Sequence, residues 1–219
     1  APSPLARLDA ISTLLRSAMP VSASQLNRLL LEQGLTRKPV SVVALLSEYA
    51  RAELTPPFRI LRAQGVEILV SPGSVDLSAR IVSTTAHCIA DWGLTSIEVV
   101  ADRVRAAEGS LASEDRVRRL LMALPRLRWL DEGADWFSFT GERSRLRRAV
   151  RKILAVADRV LFADLRSALA KGRSYLLHAP LRALERYLSD LADCEVDGDQ
   201  EWVRLRRRHA APVLVRLTA

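Results

Sequence analysis

The sequence predicts a mainly α fold with small β-hairpins, an α+β chain made of one unit used three times. Three observations predict it. The composition is rich in Leu, Ala, Val and Arg and poor in Gly and aromatics, which favours helix over sheet. Three hairpin-like segments turn at Gly65, Gly133 and Gly198, spaced by 68 and 65 residues. Each hairpin follows three stretches with helical periodicity.

In the first unit (residues 1–75) the helices fall at about 5–17, 22–33 and 38–50, and the hairpin joins Phe58-Arg59-Ile60-Leu61-Arg62 to Val66-Glu67-Ile68-Leu69-Val70. Ser22 with Gln25 forms a capping-box pattern, and Gly34 falls where the second helix should stop. In the second unit (76–141) the helices fall at about 76–91, 95–107 and 113–124. Thr95 with Glu98 is a second capping-box pattern, and Gly93 and Gly109 sit at helix ends. Its hairpin joins Leu127-Arg128-Trp129-Leu130-Asp131 to Trp136-Phe137-Ser138-Phe139. In the third unit (142–219) the helices fall at about 142–157, 163–171 and 180–191, with Gly172 at a helix stop. The hairpin joins Cys194-Glu195-Val196 to Glu201-Trp202-Val203-Arg204-Leu205. Each turn is expected to use its glycine as the φ-permissive residue. A lone hairpin is marginal in water. Trp129, Trp136, Phe137 and Trp202 are therefore expected to pack in the cores and not to stack on bases.

Three helices followed by a hairpin is the winged helix-turn-helix plan, so the chain reads as three such modules in tandem. The run Ser113-Glu114-Asp115-Arg116-Val117-Arg118-Arg119-Leu120-Leu121, with Arg128-Trp129-Leu130-Asp131 and Asp135-Trp136-Phe137, resembles bacterial proteins with a helix-turn-helix similar to region four of sigma factors. The placement of the hairpins also resembles the HARE-HTH module of the bacterial RNA polymerase delta subunit. The resemblance runs over about residues 76–205 and implies a DNA-binding or transcription-associated, bacterial role. The chain departs from the delta subunit in having a basic rather than an acidic C-terminal region.

Charge separates the units. Residues 1–75 carry 8 basic and 5 acidic side chains, residues 76–141 carry 8 and 10, and residues 142–219 carry 17 and 10. The third unit is the strongest candidate for phosphate contact. Arg143, Arg147 and Arg151 recur every four residues, flanked by Arg145, Arg148 and Lys152. Arg182 and Arg186 lie one turn apart in the recognition position, after Arg173, Ser174, Tyr175 and His178 in the preceding loop. Arg206, Arg207 and Arg208 follow the last strand, where a wing reaches a backbone or minor groove. In the second unit Arg116, Arg118 and Arg119 open the third helix, behind Glu114 and Asp115, which would repel phosphate and suit protein contact instead. In the first unit Arg37 and Lys38, with Thr36 and Ser41, are expected to open the third helix within reach of DNA.

No Gly-rich phosphate loop, His-Glu-x-x-His, Cys-x-x-Cys or nucleophile elbow is present, so no enzymatic activity, cofactor, metal or small-molecule substrate is expected. His87 and Cys88 are adjacent, which points them about 100° apart on a helix and makes them poor joint ligands. Asp197, Asp199 and Glu201 suit a hydrogen-bonded turn better than a calcium loop. Cys88 and Cys194 form no disulfide framework, and no apolar run is long enough to span a bilayer. A cytoplasmic location without membrane association is the expectation. The chain starts at Ala1, so it is expected to be processed or part of something longer. The expected partner is duplex DNA; the alternative is a protein-interaction scaffold that binds a partner protein or self-associates.

Overall fold

A computed structural model describes residues 3–108, 112–157, 159–170, 179–191, 194–197 and 202–206. The same order of elements occurs three times: a helix, a two-residue strand, two helices, then a hairpin. The first unit contains α1 (Pro4–Ala18), β1 (Val21–Ser22), α2 (Ala23–Glu32), α3 (Val42–Arg51), β2 (Arg59–Ala63) and β3 (Val66–Val70). A short 3-10 turn, Pro72–Ser74, leads to α4 (Val75–Trp92), β4 (Thr95–Ser96), α5 (Ile97–Glu108), α6 (Glu114–Met122), β5 (Leu127–Asp131) and β6 (Trp136–Phe139). The third contains α7 (Arg145–Val156), β7 (Val160–Leu161), α8 (Phe162–Ala170), α9 (Leu181–Asp190), β8 (Cys194–Val196) and β9 (Trp202–Leu205). The short strand joins the far side of each hairpin, giving three antiparallel sheets ordered β1-β3-β2, β4-β6-β5 and β7-β9-β8.

Local chemistry explains where the elements start. Ser22 and Gln25 form the expected capping box: the Gln25 amide donates to Ser22 Oγ at 3.3 Å, and the Ser22 amide donates to Gln25 Oε1 at 2.9 Å. The expected box at Thr95 is displaced by one residue. Thr95 is buried in β4, and Ser96 Oγ accepts from the Val99 amide at 3.3 Å. Strand pairing takes the residue with the stronger capping pattern. The third helix of the first unit starts later than residue 38: Ser41 caps it, accepting from the Ala44 amide at 3.1 Å. Arg37 and Lys38 thus lie in the α2–α3 loop, and do not open the helix. Likewise Ser144 caps α7, so Arg143 precedes the helix and is not part of its face.

The turns also differ. The β2–β3 turn is a two-residue loop in which Gln64 (φ 50°) and Gly65 (φ 78°) are both left-handed, as a type I′ hairpin requires. The β5–β6 turn uses Asp135 (φ 58°) for its left-handed residue, not Gly133. There the Asp131 carboxylate accepts from the Ala134 amide at 3.2 Å and fixes the loop, so Gly133 needs no special backbone. Gly198, Gly109 and Gly172 lie outside the described residues.

The hairpins hold the units together because they are apolar on both faces. In the first, the pair Ile60–Leu69 faces the core of α1–α3. The alternate residues Leu61, Ala63, Val66, Ile68 and Val70 face the other way and share a core with Ile81, Cys88 and Ile89 of α4. The second hairpin repeats the device. Leu127, Trp129, Phe137 and Phe139 fill its own core, while Leu130 and Trp136 join the core of Ala183, Leu184, Tyr187 and Leu188 on α9. A register shift between Trp129 and Asp131 aims Leu130 and Trp136 at that neighbour. Each large apolar side chain so buried contributes about 1.5–3 kcal/mol. The third hairpin is different: Cys194, Val196, Val203 and Leu205 face inward, and outside them Arg204 donates to both Glu195 carboxylate oxygens at 3.1 Å. This bond holds the Glu195 carboxyl below its ordinary range and raises Arg204.

Units two and three approach closely at Gly93, the left-handed cap of α4 (φ 80°). Its carbonyl accepts from Ser138 Oγ at 2.7 Å, and a Cβ there would overlap the Tyr187 hydroxyl and lie 2.9 Å from Ser144 Oγ. Gly93→Ala is therefore expected to destabilise the protein by more than about 2 kcal/mol, read as a lowered midpoint in thermal or urea unfolding. An unchanged midpoint would show that the junction is not packed this closely.

Candidate nucleic-acid interface

The helix that precedes each hairpin (α3, α6 or α9) is the one the sequence reading assigns to the recognition position, and the three differ. On α3 the outward residues are Val43, Ala44, Ser47 and Ala50, with Arg51 at the end. Val43 is 67% exposed. Arg37 and Lys38 stand exposed beside it in a loop pinned by the Val40 amide, which donates to Asn27 Oδ1 at 2.7 Å.

On α6, two of the three expected arginines are engaged within the protein. Arg118 is paired with Asp135 of the hairpin and lies over the Trp129 ring, 5.2 Å from its centroid. Arg119 donates to Asp115 at 2.6 Å, one turn back. Arg116 makes no ion pair among the described residues. It lines a cleft of about 270 Å³ between units one and two, with Arg119, Ser71, Ser74, Ser78 and Ser113.

On α9, one side is covered by β5 of the preceding unit, through Leu130. Arg182 and Arg186 remain exposed, but Asp131, Glu132 and Glu185 line the same shallow groove. A phosphate approaching them meets three carboxylates. Asp190, at the end of α9, pairs with Arg128 of β5. Burial pushes the Asp190 carboxyl up, against the opposite pull of Arg128 and Arg186.

An exposed basic face lies on α7. Leu146, Val150 and Leu154 are buried, which turns Arg145, Arg148, Arg151 and Lys152 outward along one side. Arg145 pairs with Asp91 at 3.2 Å, whereas Arg148 and Lys152 have no ion-pair partner among the described residues. The expected stripe of Arg143, Arg147 and Arg151 is thus broken up. Arg147 is half-buried at the cleft between units two and three, beside Ser144 and Tyr187, whose hydroxyls are 2.7 Å apart. Arg206 is exposed just past β9. Arg173, Ser174, Tyr175, His178, Arg207 and Arg208 lie outside the described residues, as do Asp199 and Glu201.

Of the aromatic residues assigned to cores, Trp136 and Phe137 are buried. Trp129 packs half-buried against Phe137, and Trp202 lies half-buried beneath Arg159, 4.5 Å from its centroid. His87 is exposed and hydrogen-bonded to the Ser83 carbonyl, whereas Cys88 is buried in the core. They point apart, as adjacent helical residues do. No helix among the described residues is long and apolar enough to cross a membrane. Sequence patterns do not reveal the serines of the cleft between units one and two. They come from α4, its preceding turn and α6, and share no local motif.

No protein-family model matches the chain, and no curated protein matches it in sequence.

Because Arg118 is held by Asp135 and Trp129, Arg118→Ala is expected to cost about 1 kcal/mol of stability. It should change affinity for a DNA duplex less than twofold, about 0.4 kcal/mol. Paired unfolding and anisotropy titrations check this; a large drop in affinity with unchanged stability would make Arg118 a contact residue.

Proposed function

We propose that the chain is an array of three winged helix-turn-helix modules, bounded at about residues 75 and 141, that binds duplex nucleic acid through its third module. The observation that carries this is the α7 face, where Arg148, Arg151 and Lys152 stand exposed on one side in the unit with 17 basic and 10 acidic residues. The helix, strand, helix, helix, hairpin order in each unit supports the winged-helix assignment.

The contact is with the phosphate backbone. Arginine and lysine on an open helix face neutralise phosphates and release counterions, which gives affinity without reading bases. Base readout would need an unobstructed recognition helix, and α9 is covered on one side by β5 and rimmed by Asp131 and Glu132. Such a protein would position itself on DNA as a transcription or chromosome-associated factor in the cytoplasm, with no catalytic step of its own. A second reading, a protein-interaction scaffold or self-associating module, is favoured for unit one alone by the exposed apolar Val43 on α3.

Fluorescence anisotropy of a labelled duplex, titrated at several salt concentrations, tests the first reading. Affinity should fall steeply with salt. The Arg148→Gln/Lys152→Gln double variant should bind more weakly and reduce the log–log salt slope by about 2, at roughly 0.9 for each phosphate no longer neutralised. No binding at low salt, or binding indifferent to salt, would overturn it.

A further inference from the structure

The cleft between the first and second units has a composition unlike the rest of the surface. It is lined by Met19 and Pro20 from the α1–β1 connection, by Ser71 and Ser74 from the turn before α4, by Ser78 on α4, and by Ser113, Arg116, Arg119 and Leu120 at α6. None is acidic. Its volume, about 270 Å³, is ample for a tetrahedral oxyanion with its first waters.

Ser71 and Ser74 spend their protons on each other and on the Ser71 carbonyl, which leaves Ser78, Ser113 and the guanidinium groups to donate into the cleft. Ser78 is 6% exposed and lines the cleft. Its Oγ reaches the open cleft, where it can donate to a ligand oxygen. Ser74, also 6% exposed, gives its proton to the Ser71 carbonyl at 2.9 Å rather than capping α4, so the start of α4 carries no side-chain cap. The α6 start points into the same cleft, capped by Ser113, whose Oγ accepts from the Arg116 amide at 3.3 Å. The two helix N-termini lie at a cleft that holds two guanidinium groups, and Asp76, Glu114 and Asp115 in their first turns offset the helix potential. Arg119 is partly neutralised by Asp115, which leaves Arg116 as the main cation.

We propose that this cleft binds a phosphate-class oxyanion, held by the Arg116 guanidinium and the Ser78 hydroxyl, with Ser71, Ser74, Ser113 and Arg119 around it. The oxyanion is either a backbone phosphodiester or a free phosphate. If it is a backbone phosphodiester, the site rests on the nucleic-acid reading and gives the second unit a contact that its acidic balance hides. The arginine suits this task because its planar fork donates two parallel hydrogen bonds to two phosphate oxygens.

Inorganic phosphate titrated into the 15N-labelled protein at constant ionic strength in chloride tests the proposal. Amides of Ser74, Ser78, Ser113 and Arg116 should shift saturably together. Arg116→Gln should weaken binding about tenfold or more, and Ser78→Ala about threefold, the effects expected for a charged and a neutral hydrogen bond. Arg28→Gln, which removes one positive charge from the exposed side of α2, should leave binding unchanged. Circular dichroism melts of each variant separate a folding defect from weakened binding, and Ser78→Ala is the smaller change if Arg116→Gln unfolds. Absence of saturable shifts in the wild type, or wild-type affinity in both cleft variants, overturns the site.

A second arm adds an unlabelled duplex to the phosphate-saturated protein. If the duplex moves the cleft amides as phosphate is displaced, the oxyanion is the nucleic-acid backbone. If the duplex binds without moving them, the site takes free phosphate and the third-module reading stands by itself. If phosphate binds and the duplex does not bind at all, the site stands and the nucleic-acid reading falls.

Discussion

The alternation of side chains along two short hairpins decides most of this structure. A strand sends successive residues to opposite faces, and in most antiparallel hairpins one face is apolar and the other wet. Here Ile60 and Leu69 serve one core while Leu61, Ala63, Val66, Ile68 and Val70 serve the next. Leu127, Trp129, Phe137 and Phe139 likewise belong to the second core while Leu130 and Trp136 belong to the third. Each hairpin therefore belongs to two cores, and neither unit of a pair can close its core without the other. The third hairpin, with Glu195 and Arg204 ion-paired on its outer face, has only one core to serve among the described residues.

That constraint limits what the units can do. A hairpin fixed between two cores is not free to act as a wing in a groove, and a helix covered by its neighbour's hairpin cannot lie deep in one. The second hairpin covers part of α9 and brings Asp131 and Glu132 beside Arg182 and Arg186. Arg148 and Lys152 on α7, by contrast, are exposed with no ion-pair partner among the described residues, and a partly exposed Arg116 lines the cleft between units one and two. The three units share a topology but present an apolar α3, an internally paired α6 and a partly covered α9. Unequal charge along the sequence already points to unequal roles; packing supplies the reason.

Much of the fold is legible in the sequence. Helical periodicity locates all nine described helices to within a few residues, and the capping box at Ser22 and Gln25 forms as its pattern requires. The two-residue strands β1, β4 and β7 are not legible, because two residues carry no period. Their existence depends on a partner hairpin that forms far away in sequence. This is also why Thr95 reads as a cap: its role in β4 is set by Phe137, with which it pairs across the sheet. The site is less legible. A run such as Arg143, Arg147 and Arg151 shows spacing but not where the helix starts. The Ser144 cap removes Arg143 from the face, and Arg147 turns half-buried to the cleft between units two and three. Arg118 can be assigned only once Asp135 and Trp129 are beside it.

Shared hairpins make the three units one cooperative body. Native-state hydrogen exchange, resolved by residue, tests this. The amides of Leu61 and Ile68 should open together with those of Ile81 and Cys88 on α4, at one common free energy, and those of Trp129 and Phe137 should open together with Leu184 and Leu188 on α9. If the first hairpin exchanges with α1–α3 at one free energy while α4–α6 opens separately at another, the units are independent domains and the claim of a shared core fails.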